Sequence, residues 1–237
     1  MEHLNVVISG FDPYEGVERN PSHVVPQALA ADGLGERAGG DVDDPLRDVD
    51  ISINAVDLPV SVKEAWPRLK ETLEATHPDI VIATGLKTAA RGILLERCAN
   101  NIIDTVSPEV KDETMGMQAD APDKPLREPI TSNGPAAFWT RLPLRSILND
   151  FASEEIPSAL SSDAGTFVCN SLFYNLMKWT AAQHKVLSGF VSLPVINEAP
   201  HLQHGLPLTQ QVEACRVVVR QTARYFLEPS SSSILIA

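Results

Sequence analysis

Clustered cysteines, long apolar runs and excess basic charge are all missing from this chain of 237 residues. It has three cysteines, Cys98, Cys169 and Cys215, without CxxC spacing, which argues against a disulfide framework and against a zinc site. No apolar run approaches the roughly 20 residues that a membrane helix needs. Lysine and arginine number 19 against 31 acidic residues, giving a formal net charge of −12. Such a surface repels phosphate backbones and anionic lipid, so we expect neither nucleic acid nor a membrane as a partner.

Cofactor, metal and targeting motifs are also absent. No GxGxxG or P-loop occurs, so we expect no nucleotide cofactor. The six histidines are scattered; His201 and His204 share i,i+3 spacing, but Pro200 and Gly205 beside them argue against a helix, so we expect no metal. The opening residues, MEHLNVVISGF, have no basic region and no small-residue cleavage site. We therefore expect no secretory signal and a cytoplasmic protein with free thiols.

Apolar runs alternate along the chain with segments of helical periodicity. Strands that alternate with helices of this length predict right-handed crossovers, and hence an α/β protein with a mostly parallel, twisted sheet. Sites in such sheets lie beyond the carboxyl ends of the strands, so the strands that end at Gly10 and Gly85 indicate the site region. The predicted strands are 4–10, 51–56, 79–85 and 186–193; the predicted helices begin near 20 and cover about 61–76, 144–151, 169–182 and 209–227.

The rest of the chain reads as loops within one domain. Residues 33–48 are rich in Gly and Asp and predict a surface loop. Residues 104–134 contain several prolines and predict a long loop or a weak hairpin, of the kind that often covers a site. No linker divides the chain, so we interpret residues 1–228 as a single domain and residues 229–237 as a flexible tail.

Cys169 is the first candidate for chemistry, because it opens a predicted helix. A thiol in the first helical turn experiences the positive end of the helix dipole, which favours the nucleophilic thiolate. The alternative is a small buried thiol, the usual state of a free cysteine. Cys215 fits that alternative better, since it has core-facing spacing in the last helix, and Cys98 also reads as core.

Glu96 and two aromatic residues are further candidates. Glu96 lies in the apolar stretch ILLER, where a buried carboxylate must be paired or must shift its pKa. It either pairs with Arg91 or Arg97, or serves at the mouth of the sheet, where it would orient a base or bind a cationic group. Phe11 and Tyr14 follow the first strand, where their rings either hold a small flat ligand between them or close the end of the sheet.

Several spaced segments together resemble pyroglutamyl peptidase I, a family of cytosolic cysteine peptidases also called pyrrolidone carboxyl peptidases. Residues 7–16 (VISGFDPYEG) are similar to the family's opening strand and GFEPFGG loop, and residues 164–170 (AGTFVCN) to its nucleophile motif AGT[FY][VL]CN. The resemblance spans most of the chain, since shorter matches occur in family order at 20–22 (NPS), 57–60 (DLPV), 85 with 95–97 (LER) and Asn100, 133–137 (NGPAA) and 142–143 (LP).

The resemblance implies a three-layer α/β/α sandwich, often tetrameric in bacterial members, so a homodimer or homotetramer is expected. It implies Cys169 as the nucleophile and Glu96 as the acid of a Cys-His-Glu triad. The implied reaction removes an N-terminal pyroglutamyl residue from a small peptide through an acyl-enzyme, without a cofactor. Phe11 and Tyr14 would flank the pyrrolidone ring.

One position departs from the family pattern in a way that affects the chemistry. The family's catalytic histidine lies in a GF[IV]HVP motif, whereas residues 189–194 here read GFVSLP and place Ser192 at that position. A serine hydroxyl takes no proton near neutral pH, and losing one triad member can cost ~10⁴-fold in rate. Residues 87–91 (KTAAR) also replace a more Gly-rich pattern, and residues 104–116 lack the usual Asp-Asn-Gly element.

Three explanations of Ser192 stay open from the sequence. His201 or His204 enters the site as a relocated base; the protein is a non-catalytic relative that binds pyroglutamyl-like N-termini; or Ser192 is an introduced substitution. An imidazole within hydrogen-bond reach of Cys169 would favour the enzyme.

Overall fold

The computed structural model describes residues 2–14, 16–35, 44–104, 127–199 and 204–235. In these residues strands and helices alternate through most of the chain, in the order β1 (Glu2–Phe11), α1 (Pro21–Asp32), β2 (Val49–Leu58), α2 (Ala65–Thr76), β3 (Ile80–Leu86), β4 (Ile93–Glu96), β5 (Cys98–Asn100), β6 (Ile103–Asp104), β7 (Arg127–Glu128), β8 (Ala137–Trp139), α3 (Leu144–Ser153), β9 (Ser158–Ser161), α4 (Val168–Ala181), β10 (Leu187–Leu193) and α5 (Leu208–Leu227).

Six of the strands form a central sheet in the order β2-β1-β3-β10-β4-β9. Neighbouring strands are parallel except for β4 and β10, which are antiparallel. Helices α1, α3 and α5 cover one face of this sheet and α2 and α4 cover the other. The expected α/β class, with helices on both faces of a mostly parallel sheet, is confirmed.

Burial of the central strands explains why their sequences are continuously apolar. Val6, Val7 and Ile8 of β1 are fully buried, as are residues 80–83 of β3. A strand with helices on both faces gains from apolar side chains at every position rather than at alternate ones. The sequence pattern therefore predicted these strands to within about two residues of their ends.

Two sheet strands were not predicted. β4 has four residues and ends in a carboxylate, and β9, SALS, is a short polar strand at the sheet edge. Each lies below the length at which periodicity is informative. β4 pairs with β9 on one side and with β10 on the other, and both pairings are between segments far apart in the sequence. These pairings bury Glu96 inside the sheet.

Parts of the predicted loops fall outside the described residues, namely 36–43 and 105–126. The described ends of the long loop pair as β6 and β7. In the tail region, Ser231–Ser233 form a single 3-10 turn and Leu235 packs against the core below it. None of the helices in the described ranges is long and apolar enough to cross a bilayer.

Two glycines at strand ends allow helices to approach the sheet closely. A Cβ on Gly10 would lie 1.4 Å from the carbonyl oxygen of Ser22 in the first turn of α1. A Cβ on Gly85 would lie 2.8 Å from the Sγ of Cys169, near the start of α4. The carboxyl ends of β1 and β3 thus meet the first turns of α1 and α4.

Candidate active site

Cys169 is the second residue of α4 and packs against the end of β3. Its Sγ lies directly over Gly85, and Phe190 of β10 touches the same point. The residue is partly exposed, whereas Cys98 and Cys215 are buried, and all three thiols are free. The thiol is therefore held at the carboxyl edge of the sheet with one side open.

The protonation state of this thiol differs from the sequence expectation. Burial raises the pKa of Cys169 to about 12, the Glu96 carboxylate adds to the rise, and Lys87 offsets it in part. The expectation that the helix N-terminus would favour the thiolate was wrong, because desolvation and a nearby negative charge both penalise the anion. At neutral pH the site holds a neutral thiol.

The residue after the thiol anchors the start of α4. The side chain of Asn170 is fully buried and accepts a hydrogen bond from the Asn100 backbone N–H at 3.0 Å. Its amide donates to the carbonyl oxygens of Asn100 (2.9 Å) and Ile102 (2.8 Å). Because α4 has no side-chain N-cap, these bonds fix the height of Cys169 over the sheet. The sequence analysis assigned Asn170 no role.

Glu96 and Ser192 form a buried polar pair beside the thiol. The Ser192 hydroxyl donates to Oε1 of Glu96 at 2.7 Å, and both side chains are closed to solvent. The pair results from the antiparallel register of β4 and β10, in which Phe190 lies opposite Glu96 and Ser192 lies two residues further along. On its other side Ser192 is in register with Gly85, the residue beneath Cys169.

Within the part of the chain that the structure describes, the second oxygen of Glu96 has no hydrogen-bond partner, and it is closed to solvent. Pairing with an arginine, one of the two expectations for this carboxylate, is wrong for the described residues. Arg97 donates its Nε to Ser162 Oγ at 2.8 Å, and Arg91 is exposed. Buried carboxylate oxygens are rarely left unpaired, so Oε2 of Glu96 could accept a hydrogen bond from a second donor in addition to Ser192.

An open cavity of about 230 Å³ lies next to the thiol. Phe11 and Tyr14 line it together with residues 164–168 and Cys169. That the two rings hold a ligand, as the family resemblance implies, stays a prediction. Phe11 is buried and Tyr14 is 39% exposed. The space is apolar on the aromatic side and suits a small, uncharged, flat group.

Asn20 holds the loop that carries the two aromatic rings. Its amide donates to the carbonyl oxygens of Phe11 (3.0 Å) and Asp12 (3.2 Å). Its Oδ1 accepts from the backbone N–H and the hydroxyl of Ser22 and caps α1, and the Ser22 hydroxyl accepts from the Phe11 N–H. The sequence analysis noted the NPS segment as a helix start but missed its role as a clamp on the pocket.

The two histidines considered as relocated bases are not brought to the thiol by any described contact. His204 Nε2 lies 2.7 Å from the carbonyl oxygen of Thr88, in a separate cavity beside Glu198. His201 lies outside the described residues. Ser192 is hydrogen-bonded to Glu96 and in register with Gly85, over which the thiol of Cys169 packs, and the relocated base stays a prediction.

With the site described, the chain can be compared with known proteins. The family model described as "Pyroglutamyl peptidase" matches residues 4–225. A pyrrolidone-carboxylate peptidase of Bacillus licheniformis is 34% identical over 194 residues, which is 81% of this chain and 79% of the relative. One from Bacillus cereus is 32% identical over 203 residues, covering 85% and 83% of the two chains.

Solved structures agree with the sequence relatives. Pyroglutamyl peptidase I from Bacillus amyloliquefaciens superposes with a TM-score of 0.72 at 31% identity, covering 94% of this chain and 96% of that chain. Pyrrolidone carboxyl peptidase from Thermococcus litoralis gives a TM-score of 0.75 at 25% identity, and the match covers 99% of both chains.

Proposed function

Because the chain belongs to the pyroglutamyl peptidase family, we propose that it is a thiol peptidase that removes N-terminal pyroglutamyl residues from small peptides, with slow turnover. The observation that carries the proposal is the thiol of Cys169 at the open side of a cavity walled by Phe11 and Tyr14. Slow turnover is supported by two points: the family resemblance implies a histidine as proton acceptor at position 192, and the Ser192 hydroxyl found there donates to Glu96.

The reaction needs a thiol nucleophile and a place for its proton. Sγ of Cys169 would form a bond to the carbonyl carbon of the pyroglutamyl residue while the thiol proton leaves. The amide bond then breaks, the departing amine takes up a proton, and water hydrolyses the thioester. With a thiol pKa of about 12, only about one molecule in 10⁵ is a thiolate at pH 7. Without a base, acylation is therefore slow.

The cavity supports selectivity for a lactam. A pyroglutamyl N-terminus is a neutral ring, whereas an ordinary N-terminus carries an ammonium group. Phe11 and Tyr14 offer ring faces and edges to the ligand. Transferring an ammonium group into such a space without a partner is costly, so glutamyl and other free N-termini should be rejected.

A second candidate function is binding without turnover. The hydrogen bond from the Ser192 hydroxyl to Glu96 favours it, since that hydroxyl is already engaged as a donor and accepts no proton at neutral pH. In this case the protein would hold pyroglutamyl N-termini in the same cavity and release them intact.

Hydrolysis of a fluorogenic pyroglutamyl amide by the unmodified protein separates the two functions. We expect slow release that is lost in Cys169→Ala, with Cys215→Ala as the matched control that keeps it. No Cys169-dependent release, together with saturable binding of a pyroglutamyl peptide, would favour the binding protein. If the protein shows neither release of the fluorescent product nor binding of the peptide, both proposed functions are contradicted.

Two wider assignments go with the proposal. We propose a cytoplasmic location, supported by three free cysteines, because cytosolic thiols stay reduced. We also propose a homodimer or homotetramer, as the family resemblance implies. Sedimentation velocity would measure the assembly, and a single species with the 25.7 kDa mass of one chain would contradict it.

A further inference from the structure

A cluster of metal-ligating side chains includes one residue of the aromatic loop, and none of its members lines the cavity beside the thiol. It consists of Asp12, His23 and Asp57, and one potential ligand atom from each lies within 4.8 Å of the other two. From this cluster we infer a binding site for one divalent transition-metal ion, such as Zn²⁺ or Co²⁺. The inference is independent of the proposed peptidase function.

The backbone brings these residues together from three elements. Asp57 is the last residue but one of β2 and lies opposite Gly10 of β1, and the Asp12 N–H donates to the carbonyl oxygen of Leu58 at 2.9 Å. His23 lies in the first turn of α1. Each residue is thus fixed by sheet register or by a helix start rather than by a free loop, and a preorganised site loses less entropy on binding.

Two potential ligand atoms in the cluster are buried and make no hydrogen bond within the described residues. His23 Nδ1 and Asp57 Oδ1 are 3.0 Å apart, close enough for an ion pair when the imidazole is protonated. Among the described residues neither atom has a hydrogen-bond partner, and both are closed to solvent. Buried polar atoms normally find partners, and one cation between them would satisfy both.

The spacing fits metal coordination. Neighbouring ligands of an octahedral ion with bonds of about 2.1 Å are about 3.0 Å apart, and opposite ligands about 4.2 Å. The 3.0 Å between His23 Nδ1 and Asp57 Oδ1 matches the first value. The three ligand atoms lie within 4.8 Å of one another, so a small movement of one side chain would bring all three to coordination distance of a single ion.

A supporting contact orients one of the carboxylates. Gln27, one turn after His23 on α1, donates its Nε2 to Oδ2 of Asp57 at 2.8 Å. This leaves Oδ1 directed to the cluster. Hydrogen bonds from neighbouring residues orient metal-bound carboxylates in the same way. Arg68 reaches only the backbone carbonyl oxygen of Asp57, at 2.7 Å, so it does not occupy the ligand atoms.

The ligand types select the ion. One imidazole nitrogen with two carboxylate oxygens suits Zn²⁺, Mn²⁺, Fe²⁺ or Co²⁺, whereas Ca²⁺ and Mg²⁺ prefer oxygen ligands alone. Three protein ligands leave further positions for water. The bound ion would tie the ends of β1 and β2 to α1, directly behind Phe11.

The other end of the same two strands supplies a matched control. There His3 Nδ1 lies 3.0 Å from Asp50 Oδ2, with side chains 55% and 66% exposed, and within the described ranges no third acidic or imidazole ligand joins them. This pair has the same residue types and separation but lacks a third ligand and a buried geometry. It should bind no metal tightly.

The test is a titration of chelator-treated protein with Co²⁺, followed by calorimetry and visible absorption, and with Zn²⁺ as competitor. We expect one equivalent to bind, affinity to fall at least tenfold in His23→Ala and in Asp57→Asn, and no change in His3→Ala. Mg²⁺ and Ca²⁺ should not compete. Circular dichroism of the metal-free variants checks that they are folded.

Three results would overturn the site. They are no binding of Co²⁺ by the unmodified protein, an equal loss in His3→Ala, or undiminished binding in both His23→Ala and Asp57→Asn. Intense near-ultraviolet bands of thiolate ligation would place the ion at a cysteine instead and would also overturn it. A rise of the melting temperature with Zn²⁺ that is absent in His23→Ala gives an independent confirmation.

Discussion

The two halves of the candidate site differ in how well their polar groups are paired. In the ring-facing half, formed by Phe11, Tyr14 and Asn20, the side-chain amide of Asn20 is used fully, with two donated and two accepted hydrogen bonds. In the proton-transfer half, formed by Cys169, Glu96 and Ser192, one carboxylate oxygen has no partner and the thiol has a pKa of about 12.

The difference indicates which function each half supports. A loop start held by the four hydrogen bonds of Asn20 keeps the ring of Phe11 in place for binding, because less is left to order. A neutral thiol beside an incompletely paired carboxylate is not ready to react, because the nucleophile needs a base. The site therefore combines a complete binding surface with an incomplete catalytic one, and the predictions below test that division.

The largest expected effect comes from replacing Ser192 with histidine. Residue 192 lies between Glu96, its hydrogen-bond partner, and Gly85, over which the thiol packs. An imidazole there would accept the thiol proton and use the unpaired Glu96 oxygen. We expect hydrolysis of a pyroglutamyl amide to rise by ~10²-fold or more, the range of general-base catalysis, measured by the release of a fluorescent amine.

Two variants serve as controls for this gain. Ser192→Asn adds a side chain without a proton acceptor and should stay slow, and Glu96→Gln in the Ser192→His background should lose most of the gain. Some loss of stability is expected, since a buried serine is enlarged. A folded Ser192→His protein that remains inert would mean that the departures at residues 87–91 and 104–116 have removed the active site as well.

The next effect concerns the two thiols with raised pKa. Burial raises the pKa of both Cys169 and Cys215 to about 12, so their thiolate fractions are alike. They differ in exposure, since Cys169 is partly open and Cys215 is fully buried. We expect a small alkylating reagent to label Cys169 at least tenfold faster, as measured by mass spectrometry after partial reaction. Preferential labelling of Cys215 would contradict the site assignment.

The pH dependence of this labelling follows from the direction of the pKa shift. Because the pKa lies above the working range, the thiolate fraction should rise about tenfold for each pH unit between 8 and 11. A rate that levels off near pH 8 would mean an ordinary thiol pKa. In Ser192→His a protonated imidazole would stabilise the thiolate, so the curve should shift to lower pH.

A smaller effect is expected from the clamp in the ring-facing half. Asn20→Ala removes a helix cap and leaves the carbonyl oxygens of Phe11 and Asp12 without that donor. We expect a loss of about 1–2 kcal/mol in the free energy of unfolding, measured with urea. Asn54→Ala is the control, since Asn54 makes its hydrogen bond on the exposed face of β2, and it should change stability little. Equal losses would contradict the clamp.

The smallest expected effect is the difference in thermal stabilisation between pyroglutamate, which is a ring, and glutamate, which is its open chain. Pyroglutamate at ten times its Kd should raise the melting temperature by about 3 °C, while glutamate at the same concentration should not. Phe11→Ala should abolish the shift if the ring lies against that side chain. Equal shifts from the two ligands would contradict a lactam pocket, and an unchanged shift in Phe11→Ala would place the ligand elsewhere.

The sequence predicted the parts of the fold whose signal is local. The apolar runs of β1 and β3 and the helical periodicity of α5 are contained in their own residues. The motifs singled out Cys169 and Phe11, which line one cavity, and their roles in it stay predictions. The partner of Glu96 could not be found in this way. Ser192 lies 96 residues further along the chain, and the two meet only because the short strand β4 pairs antiparallel with β10.

The thiol pKa was missed for a related reason. Proximity to a helix start can be read from the sequence, but the depth of burial and the distance to a carboxylate depend on packing. Here desolvation and the charge of Glu96 raise the thiol pKa by more than the charge of Lys87 lowers it. A local electrostatic rule therefore gave the wrong sign for a group whose surroundings are set by the whole sheet.

The neutral thiol has a consequence for oxidative chemistry. Peroxide reacts with thiolates and hardly at all with thiols, so a cysteine with a pKa of about 12 is protected at neutral pH although one side is open to solvent. Cys169 should therefore pass through oxidising conditions without conversion to sulfenic or sulfinic acid. An imidazole that activates the thiol for hydrolysis would remove this protection, so catalytic readiness and resistance to peroxide exclude each other at this position.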